Sequence, residues 1–211
     1  MNYEIKRFIE ERNIESLFHF TPVDNLENIL KYGLLSINNL NRLGIDYYYN
    51  DENRYDDRLD AISTSIEFPN YKMFYKCRQE SGDANWCVIE LDASVLVDKD
   101  CIFNIENAAK NRERYRSYRE KSGIRGLEAL FYGDGIRYEL ELPTYFTTNP
   151  QAEVQVLDKI EVNYIKAVHF ENYESKNFFD KHIGYKYNIK SKVTEGLFRW
   201  RCDYKYWKKV G

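Results

Sequence analysis

Apolar positions along the chain recur with two periods, and the switches between them mark its elements. Ile5, Phe8 and Ile9 share one face of a short helix, with Lys6, Arg7, Glu10 and Glu11 outward. Leu17-Phe18-His19-Phe20 reads as a strand. Thr21 then suits an N-cap, Pro22 the first helical position and Asp24 a weak capping box. Leu26, Ile29 and Leu30 form the buried stripe of that helix, and Gly33 stands where a helix ends in the left-handed region. Residues 37–60 are polar and rich in Tyr, Asn and Asp, which predicts a long irregular loop of the kind that often carries function.

Further on, Ala61 to Ile66 reads as a strand bearing the hydroxyls of Ser63, Thr64 and Ser65. Tyr71 to Arg78 is a short helix with Met73, Phe74 and Cys77 inward, and Trp86 to Leu91 a buried strand followed by one helical turn. Asn107 to Lys121 shows little apolar periodicity, so an exposed helix or a mobile basic segment is expected there. Ile124, Leu127, Leu130 and Phe131 supply a helical face, and 132–150 reads as loop closed by Pro143 and Pro150.

After the Asn149-Pro150 turn, Val154 and Val156 alternate with Gln155 as in a half-buried strand. Glu153 therefore stands at a strand mouth, where a carboxylate can face a pocket; a solvated acid beside an ordinary strand fits the same pattern. Tyr164 to Phe170 is a further strand, and Phe178, Phe179 and Ile183 suggest a helix packed behind it. The tail 185–209 alternates aromatic and basic residues. Without repeats, low-complexity segments or a linker, residues 1–211 read as one domain with a sizeable core.

Composition narrows the function classes. No run approaches the roughly 18 apolar residues of a spanning helix, and Met1-Asn2-Tyr3-Glu4 does not open a secretory signal. Cys77, Cys87, Cys101 and Cys202 lack CxxC spacing, and with three His neither a disulfide framework nor a metal site is favoured. A cytoplasmic protein without a membrane role is expected. The net charge of -3 conceals an asymmetry. Residues 181–211 carry nine Lys or Arg against Glu195 and Asp203, and 110–125 carry seven against Glu113 and Glu120. Basic patches among 19 Tyr and three Trp suit a surface that tracks phosphates and stacks bases, although they equally describe solvated faces. His19, at a strand end before a helix N-terminus, suits an anion-binding corner or a structural role. Arg54 and Arg58 can clamp phosphates or carboxylates bidentately, or be held in surface ion pairs with the acids around them.

Phe18-His19-Phe20-Thr21 with Asn25-Leu26, Ile29-Leu30 and Gly33-Leu34-Leu35-Ser36 resembles the start of the DarT-type DNA ADP-ribosyltransferase toxins. Asn50-Asp51-Glu52 with Arg54, Ile62 to Ile66 with Phe68-Pro69-Asn70, Asn107-Ala108-Ala109, and Asn149-Pro150-Gln151-Ala152-Glu153-Val154 continue the likeness in the same order to about residue 170. The basic tail has no counterpart in it. The resemblance implies an α+β ADP-ribosyltransferase-like fold, a split mixed β core with peripheral helices and an NAD cleft between its halves. It implies that His19, Phe20 and Thr21 hold the nicotinamide end and its ribose, with Asn28 and Ser36 near the rest of the cofactor site. Arg54 matches the essential arginine, also a cofactor contact, with Arg58 the alternative because the register of the insert is open. Glu153 matches the essential glutamate, and the loop from about Leu142 to Gln151 the substrate-facing loop.

The expected function is that of a monomeric toxin transferring ADP-ribose from NAD to a nucleobase of single-stranded DNA, paired with an antitoxin that hydrolyses the modification. An ADP-ribosyltransferase acting on RNA or protein, or a non-catalytic nucleic-acid-binding module, are the alternatives. The chemistry suits the residue types. Cleaving the nicotinamide–ribose bond develops oxocarbenium character, which a carboxylate near the ribose stabilises. A guanidinium stays charged at a pyrophosphate or an incoming base. Tyr75 is a further aromatic for nicotinamide stacking, or for core packing.

Overall fold

The computed structural model describes every residue except Met1, 49–57, Asp83, Asn111, Arg112, Arg114 and Gly211. Nine strands are found among them: β1 Ser16–Pro22, β2 Leu34–Leu35, β3 Ala61–Ile66, β4 Trp86–Asp92, β5 Cys101–Asn104, β6 Glu153–Leu157, β7 Lys159–Ile160, β8 Ile165–Phe170 and β9 Lys190–Val193. Seven form one sheet in the order β5-β6-β3-β1-β4-β8-β9, while β2 and β7 pair apart from it. Neighbours in the large sheet run antiparallel except β8 and β9, which are parallel and joined across the helix Tyr173–His182. The architecture is α+β, a mixed central sheet with helices around it.

Strand β4 is buried on both faces and so separates two apolar layers. Cys87, Ile89 and Leu91 join the larger core with Leu17, Leu26, Leu30, Leu127, Phe131 and Phe179. Trp86 and Val88 point the other way, into a cluster of Phe18, Phe74, Cys77, Leu197 and Phe198. Helix α1 (Tyr3–Arg12) buries Ile5, and α4 (Tyr71–Glu80) buries Phe74 and Cys77, each as its spacing predicts. Asn70 caps α4 by accepting the Met73 N–H at 3.2 Å. Among the described residues no helix is long and apolar enough to cross a membrane.

Several local expectations give way to tertiary contacts. Thr21 and Pro22 do not start a helix; they complete β1, paired with Cys87 and Trp86 of β4, and a 3-10 turn Val23–Asn25 intervenes before α2 (Leu26–Tyr32). Gly33 has positive φ but not the left-handed conformation, with φ 86° and ψ 175°. A Cβ there would lie 2.4 Å from the Ile160 carbonyl oxygen, so the close approach of β7 excludes a side chain. The polar stretch after Ser36 is not all loop, since α3 spans Ile37–Leu43. Within 132–150 a helix forms over Asp134–Glu139. Residues 107–121 are not merely an exposed face, because Ala108 and Glu113 are buried and Ser117 with Glu120 closes a capping box.

Candidate active site

The sheet splits at β1. One edge of β1 pairs with β4 along all its residues from Ser16 to Pro22. Its other edge pairs with β3 only at Leu17↔Ile66 and Phe18↔Ser65. Beyond that point β3 turns to β6, matching Ala61 through Thr64 with Leu157 through Val154. The two half-sheets therefore part after Phe18, and a side chain crosses the gap: Nδ1 of His19 lies 2.8 Å from the Ser63 carbonyl oxygen. A carbonyl only accepts, so Nδ1 carries the proton. The imidazole thus replaces a ladder bond that the diverging backbones cannot make.

A cleft of about 1350 Å³, counting space open to solvent, occupies this gap. Its walls include His19, Phe20, Thr21, Asn28, Ser63 and Glu153. Apolar walls with a few placed polar groups are the usual make-up of a small-molecule site. Phe20 stacks on Phe74 with centroids 4.6 Å apart, so packing from the second core sets its ring. Asn25 ties strand to loop: its amide nitrogen donates to Thr21 Oγ1 and to the Tyr48 carbonyl, both at 2.9 Å, and its oxygen accepts the Tyr48 N–H at 2.8 Å. Asn28 likewise donates to the Asp46 carbonyl at 3.1 Å. These amides hold residues 46–48 as one wall, a role that no local pattern announces.

Ser36 is placed differently from the others. It is 1% exposed, lies outside the cleft wall, and its hydroxyl caps α3 by accepting the Asn39 N–H. Tyr75 is an exposed residue on α4 and does not line the cleft. Among the strand hydroxyls, Thr64 donates to the Val154 carbonyl at 2.9 Å and so satisfies the split sheet itself.

Glu153 opens β6, opposite Asn104 at the end of β5. Its Oε2 accepts the Ala108 N–H at 3.0 Å. Asn107 shapes that loop by accepting the Ala109 N–H on its own Oδ1 at 2.9 Å, a side-chain turn that presents the Ala108 amide to the carboxylate. Asn107, Ala108 and Ala109 all line the cleft. Behind them, burial lowers the Lys121 ammonium while Glu113 and Glu153 act to raise it and Arg116 and Arg58 to lower it. Lys121 therefore lies within electrostatic reach of Glu153. Glu113 is the buried anchor of the segment 113–121, bound to Arg116 at 2.8 Å.

Arg54 lies outside the described residues. Arg58 is described, and its guanidinium is bidentate to Asp60 at 2.9 and 3.0 Å. The basic tail divides in two. Leu197 and Phe198 pack into the second core, and Arg201, 2% exposed, is bidentate to Asp203 at 2.8 and 2.6 Å. Trp207 donates to the same carboxylate at 2.9 Å. Lys205, Lys208 and Lys209 are exposed, and Trp200, 61% exposed, lies against Tyr204 with centroids 4.8 Å apart.

A family model described as "DarT: ssDNA thymidine ADP-ribosyltransferase, DarT" matches residues 18–198. No curated protein matches the chain. Among solved structures, Thermosipho africanus DarTG in complex with ADP-ribose superposes with a TM-score of 0.64 at 17% identity, covering 87% of this chain. The chain spans 50% of that protein's length. Thermus sp. 2.9 DarT in complex with ADP-ribosylated ssDNA gives 0.61 at 14% identity, over 87% of this chain and 96% of that one. The same Thermus protein in complex with NAD+ gives 0.56 at 14% identity, over 87% and 97%. At these identities the superpositions establish a shared fold.

Proposed function

The chain belongs to the DarT family, and on that premise we propose that it transfers ADP-ribose from NAD to a nucleobase of single-stranded DNA, thymidine by the family's description. The observation that carries this reading is the carboxylate of Glu153, presented at the wall of the split-sheet cleft and held by the Ala108 N–H at 3.0 Å. The His19 ring, locked onto the Ser63 carbonyl, stands on the same cleft wall. In this reading His19, Phe20 and Thr21 receive the nicotinamide end, and Asn28 lies along the remaining cofactor wall. Glu153 stabilises positive charge at the anomeric carbon as the C–N bond breaks, with the bonding pair leaving on nicotinamide. A ring nitrogen of the base then bonds to that carbon and gives up its proton to water. Arg54 supplies the guanidinium of the site. The bidentate pairing of Arg58 with Asp60 supports Arg54 over Arg58, because a guanidinium already matched to a carboxylate must break that fork to serve a ligand.

An unpaired strand presents its bases without the cost of leaving a duplex stack. Solved Thermus relatives with NAD+ and with ADP-ribosylated ssDNA support both substrates for this chain. We read the protein as a monomeric single-domain toxin whose modification a cognate antitoxin removes. The test offers single-stranded DNA, RNA and protein acceptors side by side with NAD and reads the ADP-ribose mass addition. Labelling of DNA alone is expected, and Glu153→Gln, still folded, is expected to lose at least about 10²-fold of it. Labelling confined to RNA or protein, or wild-type turnover by Glu153→Gln, would overturn the reading.

A further inference from the structure

Between Pro143 and Ala152 the chain runs into Glu153 without regular secondary structure. Few of its backbone carbonyls are matched by backbone amides; three arginines do that instead, Arg12 and Arg201 from distant segments and Arg137 from the helix just before the loop. Arg12, the last residue of α1, donates from Nη1 to the Thr144 carbonyl at 3.1 Å and receives the Thr144 hydroxyl on its own carbonyl at 3.0 Å. Arg137, on the helix Asp134–Glu139, reaches the Phe146 carbonyl at 2.6 Å and Thr148 Oγ1 at 3.2 Å with one arm. Its other arm reaches the Pro143 and Thr144 carbonyls at 2.9 and 3.3 Å. Arg201, from the tail, donates to the Thr147 and Thr148 carbonyls at 2.9 and 3.2 Å.

Aromatic faces complete the arrangement. Arg12 and Arg137 lie over the Phe131 ring at 4.5 and 5.6 Å, and Arg201 over Phe146 at 5.0 Å. Burial lowers the Arg137 guanidinium, and the charges of Arg12 and Arg201 lower it further. Three like charges thus share one space, with the Asp203 carboxylate bidentate to one of them. Such a cluster is costly unless its donors are occupied. From the loop these arginines hold to the carboxylate the path is short and stiff. The Asn149 carbonyl accepts the Ala152 N–H at 3.0 Å, and Asn149 Oδ1 accepts the Gln151 N–H at 2.8 Å.

We propose that Arg12, Arg137 and Arg201 form a collar whose planar forks fix the 143–149 loop and thereby set the position of Glu153, making the C-terminal tail part of the catalytic scaffold. The three are positioning residues. The Arg137 and Arg201 guanidiniums each span loop acceptors that a point charge cannot span together, and Arg12 adds one bond to the Thr144 carbonyl, so the collar acts by geometry. The inference rests on Glu153 being the catalytic carboxylate, as proposed above.

The test is steady-state ADP-ribose transfer to a single-stranded oligonucleotide, with NAD varied, for wild type, Arg137→Ala and Arg137→Lys. Thermal midpoints and direct NAD titrations are run alongside. Both variants are expected to keep the midpoint within a few degrees and NAD affinity within twofold. Their kcat should fall about 10- to 10²-fold, the scale of a sub-ångström to ångström misplacement of a catalytic group. Amide exchange at Ala152 should quicken in both. A kcat within twofold of wild type in Arg137→Ala would overturn the collar. So would full rescue by Arg137→Lys, since charge would then suffice. If Arg137→Ala fails to fold, Arg12→Ala, which removes the bond to the Thr144 carbonyl and the cation over Phe8 and Phe131, carries the same decision. A wild type inactive on every acceptor defeats the proposed function instead, and amide exchange then judges the collar by itself.

Discussion

Replacing Glu90 with glutamine should remove a pH-dependent share of the stability of this fold. Glu90 lies on β4 with a side chain 12% exposed. Its carboxylate meets Lys192 Nζ at 3.0 Å, Lys166 Nζ at 3.4 Å, His169 Nε2 at 2.9 Å and Ser16 Oγ at 3.0 Å. A carboxylate only accepts, so His169 carries its proton on Nε2, and its Nδ1 accepts the Thr194 hydroxyl at 2.9 Å. Burial alone would raise the Glu90 carboxyl. The bonds from Lys192, His169 and Ser16 outweigh it and hold the group down from 4.5 to about 2.

A carboxyl depressed in the folded state adds stability above its unfolded pKa and loses it as pH falls through the folded value. Here the loss begins below 4.5 and is complete near 2. The depression is worth roughly 3 kcal/mol at neutral pH and about 1 kcal/mol near pH 3. Burial lowers His169, with Glu90 opposing. The unfolded chain therefore takes up that proton first, and the same acid direction draws stability out from about pH 6.5 downward. Denaturant unfolding of wild type and Glu90→Gln at pH 7 and pH 3 reads the difference. A gap of about 3 kcal/mol that shrinks to about 1 is expected. A gap of the same size at both pH values would show that Glu90 acts through packing alone and refute the electrostatic account.

Gly33→Ala should destabilise by about 3 kcal/mol or more, combining a backbone region reserved for glycine with overpacking against the Ile160 carbonyl. Because Gly33 lines the cleft, NAD affinity should fall with it, and melting with a wild-type midpoint would mean that β7 yields freely. Neutralising exposed Lys205, Lys208 and Lys209 together should weaken single-stranded DNA binding and reduce the salt slope of log K by about 0.7 for each phosphate no longer neutralised, with NAD affinity unchanged. A slope identical to wild type would leave the tail a packing role and move the DNA path toward residues 110–125.

Elements with one sustained period are legible from the chain alone. Helix α1 and strands β4 and β8 form where Ile5, Trp86 to Leu91 and Tyr164 to Phe170 foretell them, because burying a face is a local matter of spacing. The Asn149-Pro150 turn, with Val154 and Val156 after it, likewise places Glu153 at a strand mouth. Where a partner decides, the local reading fails. Thr21 and Pro22 carry cap chemistry, yet seven consecutive pairings with β4 draw them into the sheet, and a full ladder outweighs a cap. Cys101–Asn104 is too short to announce itself and becomes a strand through its match with β6. Gly33 shows its positive φ to a local reading but not its cause, the Ile160 carbonyl, which arrives from far along the chain.

Charge divides in the same way. Arg201 is indistinguishable in composition from the lysines after it, and only its partners, Asp203 and two loop carbonyls, make it an interior residue while Lys208 and Lys209 stay in water. The residue types of the site were written in the sequence, because chemistry belongs to the side chain. Their joint geometry was not. His19 bridges to Ser63, Glu153 to Ala108, and Arg12 and Arg201 to one loop only after the sheet has split and distant segments have been desolvated together, and no local window of sequence encodes that.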